Sequence, residues 1–294
     1  METLESLGEA LETTDDIQSI VRTMKSLSAV SIHQFERAEE ALTTFEDVID
    51  QGLTALLHER RARGLPLPET MRGRSAREGL ILVGSDRGLC GRYNDTAARF
   101  AADRIGGNTV TLAVIGARAA ARIEALGRAP DRLFDLPGSV EGLSQTVQAV
   151  IVAVDTWTRD RDIGRVRLVH NRRKGQSMAT PVERQLLPLP DAYLRRLAGA
   201  PWPGRGLPFF RMRPERLLSW LVQQRLYVVL YRALAEALAS EHAMRLATMQ
   251  NAESNIEERQ EDLTAAYRQK RQETITRELL DVVAGFEAVG GRDA

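Results

Sequence analysis

The residues of this chain best placed to do chemistry lie in one stretch, Gly84-Ser85-Asp86-Arg87-Gly88-Leu89-Cys90-Gly91. It follows the apolar run Leu80–Val83 and precedes a helical pattern, which is where α/β proteins place ligand-binding loops. Its glycines allow positive φ and a close approach of backbone to a ligand. Cys90, the single cysteine, is a candidate nucleophile with Asp86 and Arg87 beside it to tune the thiol. Such a nucleophile usually needs a histidine base, and His33, His58, His170 and His242 are scattered without a spacing that supplies one. The glycines do not follow G-x-G-x-x-G, so a structural turn is the stronger reading. No phosphate loop of the form G-x-x-x-x-G-K-[ST] occurs, and Lys25, Lys174 and Lys270 follow no glycine-rich loop. Without paired cysteines or H-E-x-x-H, zinc is unsupported. No catalytic residue, cofactor or metal is therefore expected.

The elements that must hold this stretch are written in the positions of proline and glycine. All 11 prolines lie between Pro66 and Pro214, and 17 of 22 glycines lie between Gly64 and Gly206. Both residues break helices. Their absence from the ends predicts a helix from about Leu4 to Arg60 and another from Pro214 to Gly285. These would be roughly 85 and 105 Å long at ~1.5 Å per residue. Helices of that length need each other or a partner. Leu4, Leu7 and Leu11, then Ile17, Ile20, Met24 and Leu27, run in steps of three and four and form an expected coiled-coil seam. The other end offers Leu246, Met249, Ile256, Leu263, Tyr267, Ile275, Leu279, Val282 and Phe286, with Thr14, Glu253, Gln260 and Lys270 as polar interruptions on or near the seam. An ordinary helical bundle is the plainer alternative.

Between the helices, Leu80–Val83, Val110–Ile115 and Val166–Val169 fit buried parallel strands. Asn94–Ile105, Ala117–Leu126 and Leu143–Trp157 read as helices, an alternation that argues for an α/β unit. Arg72–Arg77 and Gly199–Gly206 read as exposed connections. Lys+Arg and Asp+Glu both number 40, a balance unlike that of a dedicated nucleic-acid binder. The neutrality hides segregation. Residues 1–63 carry 13 acids and 6 bases, whereas residues 64–214 carry 14 acids and 24 bases. A basic middle could meet acidic protein surfaces, phosphate or headgroups, or be a solvated surface. A lone cysteine and no apolar run near the ~20 residues of a membrane span point to a reducing, intracellular setting.

Four stretches converge on one family. Ser85–Gly91 resembles the S-D-R-G-L-C-G segment of F-type ATP synthase gamma subunits. Ile17–Lys25 is similar to their T-x-A-M-K helix, Ala239–Ala252 to their S-E-H-A-A-R-M-x-A-M-x-N-A helix, and Arg271–Leu279 to R-Q-x-x-I-T-x-E-L. Order and spacing fit end to end. The resemblance implies an α/β fold class, with a long antiparallel coiled coil of the N- and C-terminal helices plus a central Rossmann-like α/β domain. Its expected parts are 1–63, 64–206 and 207–294. It implies a non-catalytic rotor shaft that couples ion flow to ATP synthesis or hydrolysis on the beta subunits. Expected partners are three alpha and three beta subunits, an epsilon subunit and the c-subunit ring. The expected location is peripheral, on the cytoplasmic face of the inner (plasma) membrane.

By the same resemblance, Met24, Lys25 and Arg245 would face the beta lever, and Arg271 and Gln272 would hydrogen-bond a beta loop, the catch. Asp86, Arg87, Gly88, Cys90 and Gly91 form the structural loop. Phe210, Arg211 and Arg213, within Pro208–Pro214, would form the foot toward the c ring and epsilon. Two departures stand out. The family's basic N-terminal stretch is here Glu5, Glu9, Glu12, Asp15 and Asp16, and the foot carries arginines where acids are usual. Both fit a divergent branch, resembling the alternative F-type ATPases, some of which are thought to move sodium. A coiled-coil scaffold with an α/β sensor domain and an enzyme using Cys90 remain the alternatives.

Overall fold

The structure is a computed structural model that describes residues 3–68, 75–175, 178–202, 206 and 210–290, with side chains to 284. Its backbone forms two compact units, Ser28–Leu246 and Met1–Leu27 with Ala247–Ala294. The elements in chain order are α1 (Leu4–Ala41), α2 (Thr43–Ala62), β1 (Glu78–Val83), α3 (Tyr93–Ala102), β2 (Thr109–Ile115), α4 (Ala117–Glu124), β3 (Arg132–Phe134), α5 (Val140–Asp160), β4 (Arg165–Lys174), β5 (Met178–Leu187), α6 (Asp191–Gly199) and α7 (Pro214–Gly290).

In the unit Ser28–Leu246, five strands form one sheet in the order β3-β2-β1-β4-β5. The first four are mutually parallel and β5 runs antiparallel to β4. Helices cover both faces, which is why Leu80, Ile81, Leu82 and Val83 are all fully buried rather than alternating. Each such side chain contributes about 1.5–3 kcal/mol on leaving water. One face packs Leu80 and Leu82 against Ala97, Ala98 and Ala101 of α3 and Ala119 and Ile123 of α4. The other packs Ile81 and Val83 against α5, against Leu230, Leu234 and Leu238 of α7, and against Phe35 of α1. A further cluster joins Ile49, Leu53 and Leu57 of α2 to Leu197 of α6 and to Leu221 of α7.

The three expected strands and three expected central helices are present. β3, β5 and α6 are additions. β5 reads poorly as a strand because it contains Pro181 and charged residues, which an edge position tolerates. The N-terminal helix is interrupted once, where Leu42 N donates to Glu39 O at 3.2 Å in a tightened turn before α2. Pro214 occupies the first position of α7, where its missing N–H costs nothing. Of the expected connections, residues 72–74 and 203–205 lie outside the described residues.

In the other unit, the first part of α1 pairs with the last part of α7 in antiparallel fashion. Lys25 ion-pairs with Glu253, Gln18 Nε2 donates to Gln260 Oε1 at 3.1 Å, and Gly8 lies beside Tyr267. As one number rises the other falls. The expected seam holds at Leu7, Leu11 and Met24 and along α7 as far as Tyr267, and departs at three positions of α1. Leu7, Leu11, Thr14, Gln18, Val21 and Lys25 face inward, whereas Ile17 is 46%, Ile20 59% and Leu27 62% exposed. The opposing positions are Met249, Glu253, Ile256, Gln260, Leu263 and Tyr267. Polar residues on both helices decide this register. Arg22 and Lys25 share Glu253, and Gln260 bonds both Gln18 and Asp15, so the register that matches partners prevails over the one that buries more isoleucine. Positions 275–284 of α7 are all exposed.

Candidate functional site

The loop after β1 is built as a clamp. Ser85 N donates to Asn94 Oδ1 at 2.9 Å, and Asn94 Nδ2 returns a bond to Ser85 Oγ at 2.8 Å. Asp86 reaches further. Its Oδ1 accepts from Ala117 N at 2.7 Å and its Oδ2 from Leu136 N at 2.8 Å. The first is an orphan donor at the start of α4, so a carboxylate from the loop after β1 supplies the missing helix cap and meets the positive end of the helix dipole. The close approach explains Gly84, where a Cβ would fall 2.1 Å from the Cβ of Ala119. Gly91 turns the chain at φ 58°. Leu89 adopts φ 63° and is 58% exposed, an unusual backbone for a branched residue.

Cys90 is 2% exposed, with Sγ 3.8 Å from Ser85 Oγ and 3.8 Å from Asn94 Nδ2. Burial pushes its thiol up, against the pull of the Ser85 hydrogen bond. A buried neutral thiol bonded to Ser85 and Asn94, neither of which is a base, is poorly suited to attack. The residue packs the loop.

This loop lies at the carboxyl end of β1, next to β4, where the strand order reverses. Open α/β sheets bind ligands in that crevice. Here α7 occupies it. Tyr93 OH donates to Ala237 O at 2.7 Å, Asn171 Nδ2 to Tyr93 O at 3.0 Å, and Ser240 Oγ to Asn171 O at 3.2 Å. His170 Nε2 lies 2.8 Å from Glu236 Oε2, and Arg184 lies 2.9 Å from the other oxygen. Burial lowers the pKa of His170, so a neutral ring donates to an ionised Glu236, which Arg184 helps hold below the usual carboxylate range. Arg245 is 4% exposed. It pairs with Glu241 one turn back and donates to Gly88 O at 3.2 Å.

The family model described as ATP synthase matches residues 3–289. A curated ATP synthase gamma chain from Nitrosomonas eutropha is 31% identical over 72% of this chain and 74% of its own length. The chain belongs to the ATP synthase gamma chain family. The gamma chain of Granulibacter bethesdensis is 28% identical over 98% of this chain and its full length. Among solved structures, a chain of the Euglena gracilis mitochondrial ATP synthase (OSCP/F1/c-ring, rotational state 3) superposes with TM-score 0.65 at 18% identity, covering 99% of this chain and 96% of that one. A rotor chain of the same organism's enzyme gives 0.64 at 17%, covering 92% and 98%. These likenesses show the same fold.

Set out on this gamma-chain fold, the expected contact residues separate into groups. Met24 and Lys25 are half-buried, with Lys25 engaged by Glu253. Arg271 and Gln272 are exposed on α7, eighteen residues beyond Glu253. Arg211 and Arg213 are exposed and Phe210 is half-buried, while Pro208 and Phe209 lie outside the described residues. Among the described residues, Arg245 is joined to the loop by its bonds to Gly88 O, and Cys90 lies against Arg87 O within the loop. Sequence reasoning missed Tyr93, Asn94, Asn171 and Glu236. Glu236, a charge inside the apolar run Ala233–Leu238, was the available signal, but nothing in spacing names its partners or marks Tyr93, Asn94 and Asn171.

Proposed function

We propose that this chain is the central rotor shaft of an F-type ATP synthase or ATPase, a non-catalytic subunit. In this reading it carries torque between a membrane c ring and an alpha/beta hexamer whose beta subunits make or hydrolyse ATP. Its partners are three alpha and three beta subunits, an epsilon subunit and the c ring. Its place is peripheral, at the cytoplasmic face of the inner (plasma) membrane. No described helix is long and apolar enough to cross a membrane. The division 1–63, 64–206 and 207–294 reads as two arms of a shaft and a base, although the compact units part after Leu27 and before Ala247.

The observation that carries the reading is the surface of the paired helices. Ile17, Ile20 and Leu27 point outward, and Ile275, Leu279 and Val282 stand exposed on the unpaired length of α7. Apolar contact is non-directional, so a sleeve around such a surface is held without being fixed at one angle. Polar pairs such as Lys25–Glu253 and Gln18–Gln260 keep the two helices in register, while Ile17, Ile20 and Leu27 are left on the outer face. The filled crevice at the sheet's switch point supports a structural rather than a ligand-binding use of the α/β unit. Lys25, Met24, Arg271 and Gln272 are assigned to contacts with beta and Phe210, Arg211 and Arg213 to the foot, whereas Arg245, expected to face beta, is buried against Gly88 and Glu241 and is assigned to holding the loop.

The acidic run Glu5 to Asp16 and the arginines at the foot support placement in a divergent branch resembling the alternative F-type ATPases, sodium-moving ones included. Such a foot fits a c-ring loop less basic than usual.

The test is the native mass of the complex formed on co-expression with neighbouring alpha and beta chains. One copy per three alpha and three beta is expected. A homodimer that ignores both would instead support a coiled-coil scaffold with an α/β sensor domain.

A further inference from the structure

A cleft of about 450 Å³ opens between the end of α2, the segment that follows it, and α6. Its floor is apolar, formed by Leu57, Leu65 and Leu67, and three guanidinium groups, Arg60, Arg61 and Arg195, stand around it. The walls are fixed. Gly64 at φ 69° lets Gly64 N and Leu65 N bond back to Arg61 O and Arg60 O, which folds the following residues along the helix end. Arg60 Nε donates to Pro66 O at 3.1 Å. His58 Nε2 lies 2.9 Å from Ala200 O, and Tyr193 OH donates to Asp50 Oδ1 at 2.6 Å, so α2 and α6 are tied on either side of the cleft. Among the described residues no carboxylate ion-pairs with Arg60, Arg61 or Arg195, although neighbouring Arg63 and Arg196 are paired with Glu59 and Asp50. Last-turn arginines suit a helix dipole, but Arg195 comes from the opposite wall.

Unpaired cations over an apolar floor complement a molecule with an anionic head and a hydrocarbon tail. We propose that this cleft binds an anionic phospholipid, with phosphate on the guanidinium groups and the upper acyl chain on Leu57, Leu65 and Leu67. Guanidinium forks suit phosphate in two bonds. The proposal rests on the rotor reading only for the nearness of a membrane, and it is measured without alpha or beta chains, so failure of either leaves the other's test intact.

The 294-residue chain is floated with vesicles of phosphatidylcholine alone and of phosphatidylcholine with phosphatidylglycerol, then titrated with short-chain phosphatidylglycerol and with inorganic phosphate. Binding to the phosphatidylglycerol forms alone is expected. Arg61→Gln with Arg195→Gln, both at exposed positions, should weaken short-chain lipid binding roughly tenfold or more. Leu65→Asp should do the same by removing the floor. Arg211→Gln with Arg213→Gln should leave it unchanged. Equal loss in that last variant would mean diffuse attraction and overturn the site. So would inorganic phosphate binding as tightly as lipid, no lipid binding at all, or an acidic peptide filling the cleft in place of lipid.

Discussion

Asp86 satisfies two backbone donors from different elements, Ala117 N and Leu136 N, and holds the loop, α4 and the end of β3 together. Asp86→Ala leaves both without the partner they have here, and should destabilise the chain by about 1–3 kcal/mol, read as a lowered urea midpoint at unchanged slope. His242 makes a pH-dependent contribution of known sign. Its ring stacks on Phe35 and faces Arg245, and burial with that charge pushes its pKa down from 6.5 to about 4. The folded state therefore binds a proton less readily than the unfolded chain. Its stabilising effect is complete above the unfolded value, and is lost as pH falls from 6.5 toward 4. By pH 5.5 the loss from this group should be about 1 kcal/mol. His170, also shifted down by burial, acts in the same direction. Denaturation midpoints between pH 7.5 and 5 should fall for the native chain and fall less for His242→Gln.

The seam of α1 and α7 shows what an element can hide. Hydrophobic spacing alone favoured Ile17, Ile20 and Leu27, whereas the inward positions are Thr14, Gln18, Val21 and Lys25. A step pattern of three and four can be laid on a helix in more than one rotation, and only the partner helix selects among them. The polar layers were legible as interruptions, yet their pairing was not, because it requires Glu253 and Gln260 to be opposite them. The strands of the sheet were easier. Runs such as Leu80–Val83 are apolar throughout because both faces are covered, and that is local information. The loop Ser85–Gly91 was legible as structural from its lack of a base, whereas Asp86's reach to Leu136 depends on a crossover that no spacing encodes. If Gln18 and Gln260 maintain register at a cost in stability, Gln18→Leu with Gln260→Leu should raise the thermal midpoint, by an amount corresponding to about 1 kcal/mol. A lowered midpoint would show that the layer stabilises as well as aligns.

For the whole molecule, a rotor role assigns different work to the two exposed residues of the proposed catch. Arg271→Ala with Gln272→Ala removes side chains that are exposed and leave α7 intact. Coupled ATP turnover of the assembled complex should fall severalfold while subunit stoichiometry stays the same, as counted by native mass and steady-state rate on one preparation. Unchanged turnover would remove these residues from the beta contact. The chain also carries a consequence in the crevice of its sheet, where Tyr93, Asn171 and Gly88 are met by Ala237, Ser240 and Arg245 of α7. In other open sheets that place is filled by a molecule that arrives and leaves. Here its occupant is covalently attached, so its local concentration is set by the connecting chain rather than by supply. A ligand entering this crevice would have to displace an occupant that never diffuses away. The device has given up responsiveness at that position, which leaves its surfaces as the places where control can act.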